Sequence, residues 1–117
     1  MAVIIVGRLA AQPGGIRLNP PETVRLTQSL RTNTGVAEDV QIVYDLDASH
    51  NVWFATPQGP SKTIQTLRSV PASPQNFFDD VTFIQAPGAV VDVFEIVQTI
   101  CDPACRMRDI VTVHIII

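Results

Sequence analysis

The chain has 117 residues, of which 46% are hydrophobic and only 16% charged, with a formal net charge of −3. That length suits a single domain spanning 1–117 with one packed core. Seven scattered arginines and the lone Lys62 form no basic patch, which argues against a nucleic-acid partner. No run nears the roughly 18–20 apolar residues of a bilayer-crossing helix, so no membrane partner is expected.

Val and Ile total 27 against 6 Leu, and the nine Pro and six Gly fall mostly between apolar runs. Stiff β-branched side chains favour pleated sheet over helix, so the expected class is all-β. The first strand is expected over Ala2 to Leu9, closed by Gln12-Pro13-Gly14-Gly15. Met1 to Val6 lacks a leading basic stretch and Gly7-Arg8 ends the apolar run, so no signal peptide is expected. A short piece at Ile16 to Leu18 precedes Asn19-Pro20-Pro21. Thr23 to Arg31 alternates, with Val24, Leu26 and Leu30 on one face, and Asn33-Thr34-Gly35 turns the chain. Asp39 to Asp47 repeats the pattern with Val40, Ile42, Tyr44 and Leu46 inward.

Val52-Trp53-Phe54 is short and ends at Thr56-Pro57-Gln58-Gly59-Pro60. Thr63 to Val70 reads as an edge strand, and Phe77 to Gln85 returns to strand character before Pro87-Gly88. Ala89 to Cys101 and Arg106 to Ile117 flank Asp102-Pro103-Ala104 as a long hairpin. Val111, Val113, Ile115 and Ile117 share one face of its last strand. The strand before it is apolar on both faces, with Val91, Val93 and Val97 on one and Phe94, Ile96 and Ile100 on the other. Such a strand needs a cover on both sides, from a loop or a neighbouring subunit. The expected fold is an immunoglobulin-like Greek-key β-sandwich of seven to eight strands.

Two stretches carry a family resemblance. Glu22 to Leu26, Leu30 to Gly35 and Val40 to Asp47 resemble bacterial cell-adhesion-related repeats. Pro87-Gly88-Ala89, Val93 to Ile100, Asp102-Pro103 and Asp109 to Val113 are similar to the terminal hairpin of polycystic-kidney-disease-type repeats. The latter's Trp-Asp-Phe-Gly-Asp-Gly signature is absent. Both resemblances imply a non-catalytic immunoglobulin-like sandwich.

Cys101 and Cys105 bracket the hairpin tip, either as a disulfide or as free thiols; a metal site would lack two ligands. Asp45 to Asn51 alternates oxygen-bearing side chains, which could hold calcium at Asp45 and Asp47. His50 stands where a calcium loop needs Gly, and Thr56 where it needs Glu, and the same residues make ordinary turns. Asp79, Asp80, Asp92 and Glu95 read as solvent-face charges, with Glu95 meeting Arg106 or Arg108 across the hairpin. His50 and His114 join no nucleophile motif. Trp53 is expected to anchor the core, with an exposed Trp53-Phe54 contact patch as its alternative use.

Nothing here assembles a nucleophile, base and oxyanion site, so no enzyme and no cofactor are expected. Scarce charge and the doubly apolar strand point to a surface that meets protein, with Trp53, Phe54, Val91, Val93 and Val97 as candidate contacts. The functional expectation is a structural protein of a bacteriophage virion, such as a capsid decoration or other head or tail assembly protein, and part of a homo-oligomer or larger assembly. The alternative is an adhesion or surface-filament module on a bacterial or archaeal cell surface.

Overall fold

A computed structural model describes residues 3–17, 22–47, 51–84, 90–102 and 104–116. The expectations that fall on Met1, Ala2, 18–21, 48–50, 85–89, Pro103 and Ile117 lie outside the described residues. Alternating β-branched and polar residues produce strands throughout. They are β1 (Val3–Gln12), β2 (Gly15–Arg17), β3 (Val24–Thr32), β4 (Glu38–Leu46), β5 (Trp53–Thr56), β6 (Gly59–Ser61), β7 (Thr63–Val70), β8 (Gln75–Val81), β9 (Phe83–Ile84), β10 (Val90–Thr99) and β11 (Arg106–Ile116). Eight of these are four residues or longer, within the seven to eight read from the sequence; β2 overlaps the short piece at Ile16 to Leu18, and β6 and β9 are short additions.

Two sheets stack as an all-β sandwich. One has the order β1-β3-β8 and the other β2-β11-β10-β4-β7, with a small third sheet β6-β5-β9 beside them. In the lettering of immunoglobulin-type sandwiches, β1, β3 and β8 take the A, B and E places, and β11, β10, β4 and β7 the G, F, C and C′ places. Between the sheets lie Val24, Leu26 and Leu30 of β3, facing Val40, Ile42 and Tyr44 of β4 and Val93 and Val97 of β10, all fully buried. The period-two readings of Thr23 to Arg31 and Asp39 to Asp47 thus assign the correct inward residues.

β1 is not regular. Its register against β3 shifts between Ile5 and Gly7 and again between Gly7 and Ala10. Bulges leave main-chain groups without ladder partners, and buried ones must be served otherwise. The buried Gln28 amide donates to Gly7 O at 2.5 Å, and the Asp109 carboxylate of β11 accepts from Leu9 N at 2.6 Å. These polar side chains hold the first strand onto both sheets.

Thr82 divides what reads in sequence as one strand, Phe77 to Gln85, into β8 and β9. β9 leaves the first sheet and pairs with β5, placing Trp53 opposite Ile84 and Phe54 opposite Phe83. The Phe54 and Phe83 rings stack 5.5 Å apart and close that end of the core. Gly59, at φ +110, lets β5 turn into β6 where a side chain would be strained. The Thr56 hydroxyl donates to Gly59 O across the turn.

Candidate functional site

Among the described residues, the outer face of the five-stranded sheet carries several exposed large apolar side chains. Its rows follow from the registers. Phe94 of β10 stands between Ile110 of β11 and Asp45 of β4, and Ile96 stands between Arg108 and Val43. Phe94 is 43% exposed, Ile110 42% and Leu67 of β7 69%, with Ile100 also exposed where the hairpin leaves the sheet. Arg106 and Arg108 line the β11 side, and Gln41 and Gln65, bonded at 2.7 Å, line the other. The result is a flat apolar stripe with a polar rim.

This corrects the sequence-based choice of contact residues. Val91, Val93 and Val97 are buried in the core, and the outward row of the same strand is Phe94, Ile96 and Ile100. Both faces of β10 are apolar, so periodicity alone separates them without saying which is inside. Phe54 is likewise buried against Phe83 and offers no contact. Trp53 does not anchor the core. It is only partly buried, with the Lys62 ammonium 4.5 Å from its ring centroid.

That ammonium also donates to the carbonyls of Asp47 and Val52. Lys62 thus bonds to both described ends of the β4–β5 connection. Asp45, the first position of the calcium reading, accepts from the Thr63 hydroxyl on the outer face. Positions 48–50 of that reading lie outside the described residues. Cys101 and Cys105 are free thiols. The register Gln98↔Arg106 sets Cys105 across from Thr99, whose N–H it receives, so the two cysteines are not cross-strand partners.

The acidic residues do not form one site. Asp80 pairs with Arg25 at 2.9 Å on the surface, and the hydrogen bond from that guanidinium holds its carboxyl below the usual range. Asp92 accepts from Thr112. Asp79 reaches between the sheets, accepting from the Tyr44 hydroxyl at 3.0 Å and from Arg68 at 2.6 Å. Burial first, and the Asp79 charge second, push the Tyr44 phenol well above its ordinary value.

Glu95 overturns its reading as a solvent-face charge. It is 1% exposed, on the core side of β10, and neither carboxyl oxygen has a hydrogen-bond partner among the described residues. Its neighbours in register are Tyr44 on β4 and Asp109 on β11, whereas Arg106 and Arg108 point to the opposite face. Burial, then the Asp109 charge, then that of Asp79, push its carboxyl up to about 8. At neutral pH it is mostly protonated, which avoids an uncompensated charge in the core.

No family model and no curated protein sequence matches the chain. Solved structures similar in fold include two that match nearly the whole of this chain. One is the Pseudomonas fluorescens alkylpurine DNA glycosylase AlkC, bound to DNA containing an abasic site analog. It matches over 97% of this chain with TM-score 0.61 and 13% identity. This chain spans only 30% of the glycosylase's length. The other is a chain of the complex between Zinc 2-glycoprotein and Prolactin inducible protein from human seminal plasma. Its TM-score is 0.55 at 13% identity, over 99% of this chain and 95% of that one. At such identities the likeness shows the sandwich and nothing about activity.

Proposed function

We propose that this chain is a non-enzymatic, immunoglobulin-like structural module that packs into a larger protein assembly, with a bacteriophage head or tail, and capsid decoration in particular, as its setting. The observation that carries the reading is the outer face of the five-stranded sheet. Phe94, Ile96, Ile110 and Val43 form a contiguous apolar stripe at its centre, rimmed by polar side chains. Contiguous apolar area with a polar rim is the anatomy of a protein contact. The carboxylates support a binding role over catalysis. Glu95 is sealed between β4 and β11, and Asp79 and Asp80 are engaged by arginines.

Light scattering during size-exclusion chromatography tests this reading. The wild-type chain is expected to run as an oligomer, or to bind purified particles carrying the products of its neighbouring genes. Phe94→Lys combined with Ile110→Lys is expected to run as a folded monomer and to lose that binding. A wild-type chain that stays monomeric and binds no particle overturns the proposal.

A further inference from the structure

The five-stranded sheet ends at β7, an edge that among the described residues carries neither a bulge nor a proline. β1 is bulged, β8 carries Asp79 and Asp80, and β2 is three residues long. β7 instead pairs with β4 over eight consecutive positions without a register shift. It contains no proline, and its one charged side chain, Arg68, is drawn back onto Phe78 O and Asp79. Long, flat and unguarded edges are templates for another strand.

The ladder fixes which main-chain groups are available. Leu46 N donates to Lys62 O, in the same register that pairs Asp45 with Thr63. Hydrogen-bonded pairs alternate in antiparallel sheet, so Ile64, Thr66, Arg68 and Val70 bond to β4. The N–H and C=O groups of Thr63, Gln65, Leu67 and Ser69 then point away from the sheet. Those of Thr63 are already met by the Ser61 hydroxyl, which accepts from its N–H and donates to its carbonyl. Among the described residues no main-chain bond is made by the outward groups of Gln65, Leu67 and Ser69.

Beside this edge lies a cleft of about 530 Å³, lined by the β5–β6 hairpin, the start of β7 and the end of β8. Thr56, Pro57, Gln58, Ile64 and Gln65 line it, and the one carboxylate there, Asp80, is committed to Arg25. An edge with free main-chain groups next to a pocket that takes alternate side chains is how sheets capture extended peptides. We infer that β7 is a strand-addition site for an extended, uncharged segment of a partner protein, whose alternate side chains enter the cleft. The lining of the cleft offers no uncommitted charge among the described residues, which suits an uncharged segment that follows the edge and fills the cleft. This edge adjoins the apolar stripe at Gln65 and Leu67, but the inference rests on main-chain groups and the cleft, not on that stripe.

The test uses the full chain against a displayed library of random, uncharged peptides rich in Thr, Val and Ile. Selected peptides are expected to slow amide exchange at Gln65, Leu67 and Ser69. Gln65→Pro and Leu67→Pro remove outward N–H groups while sparing every bond to β4, a place where edge strands accept proline. Each is expected to weaken binding by about tenfold. Should either variant fail to fold, Gln58→Trp, which fills the cleft, is expected to do the same. Three results overturn the inference: no selected peptide, peptides indifferent to all three substitutions, or concentration-dependent protection of the same amides without peptide, which would mean self-pairing.

Discussion

Glu95, buried between Tyr44 and Asp109, ties the stability of the fold to its own proton. Its carboxyl rises from an ordinary 4.5 to about 8 in the folded chain. The folded state therefore keeps a proton that the unfolded chain gives up once pH exceeds about 4.5. The stability tied to that proton is fully present below 4.5 and is lost progressively as pH rises through about 8. At about 1.4 kcal/mol per pH unit, the span amounts to at most about 5 kcal/mol. Glu95→Gln is expected to flatten the urea-unfolding midpoint between about pH 5 and about pH 9. A midpoint that still falls with pH in that variant would assign the effect elsewhere. Asp109→Asn keeps an acceptor for Leu9 N but removes the second-largest cause of the shift. It is expected to move the wild-type titration towards lower pH, followed by NMR of the Glu95 carboxyl carbon. In sequence Glu95 is in phase with Val91, Val93 and Val97, but an acidic residue among valines reads equally as a surface position. Only the register, which sets it between Tyr44 and Asp109, reveals a buried acid.

At the scale of elements, the strands were legible wherever alternation ran for eight or more residues. β3, β4, β7, β10 and β11 follow the sequence reading closely, and β7 lies at the edge, where its weak alternation placed it. The misreadings cluster where strands are short. Gly59 and Pro60 are turn residues by type, yet they begin β6, because an edge strand tolerates proline. The tryptophan and phenylalanine of β5 could each have been the core residue, since four residues carry too little period to decide. Phe54→Ala is expected to cost about 3–5 kcal/mol in chemical denaturation, while Trp53→Ala is expected to cost less, under about 2 kcal/mol, because Trp53 is only partly buried. Equal losses would contradict the packing of Phe54 on Phe83. At the hairpin tip, Cys101 and Cys105 are offset across β10 and β11 by the register. Both are expected to react with iodoacetamide without prior reduction, counted by intact mass.

The whole molecule is a sandwich with more apolar surface than one core can use. β10 supplies both the valines that fill the interior and the phenylalanine and isoleucine that stand outside. The sequence announces that excess but not its direction, because two apolar faces on one strand are symmetric until the second sheet is placed. Contact through the outer face would be driven by burial of apolar area, with Arg106 and Arg108 at the rim. Association by that route is expected to survive about 1 M salt, where surface charges are screened within about 3 Å. Dissociation into monomers under those conditions, followed by sedimentation, would assign the contact to the arginines instead.

The placement of Lys62 over Trp53 has a practical consequence. These are the chain's single lysine and single tryptophan. They sit at the base of the β5–β6 hairpin, which walls the cleft beside β7, so the molecule carries its own optical probe there. Emission from the indole, whose neighbouring charge any displacement of the hairpin would move, reads out that one corner without a label. Titrating a candidate peptide while recording that emission would report occupancy at the edge and stay silent for events on the opposite sheet.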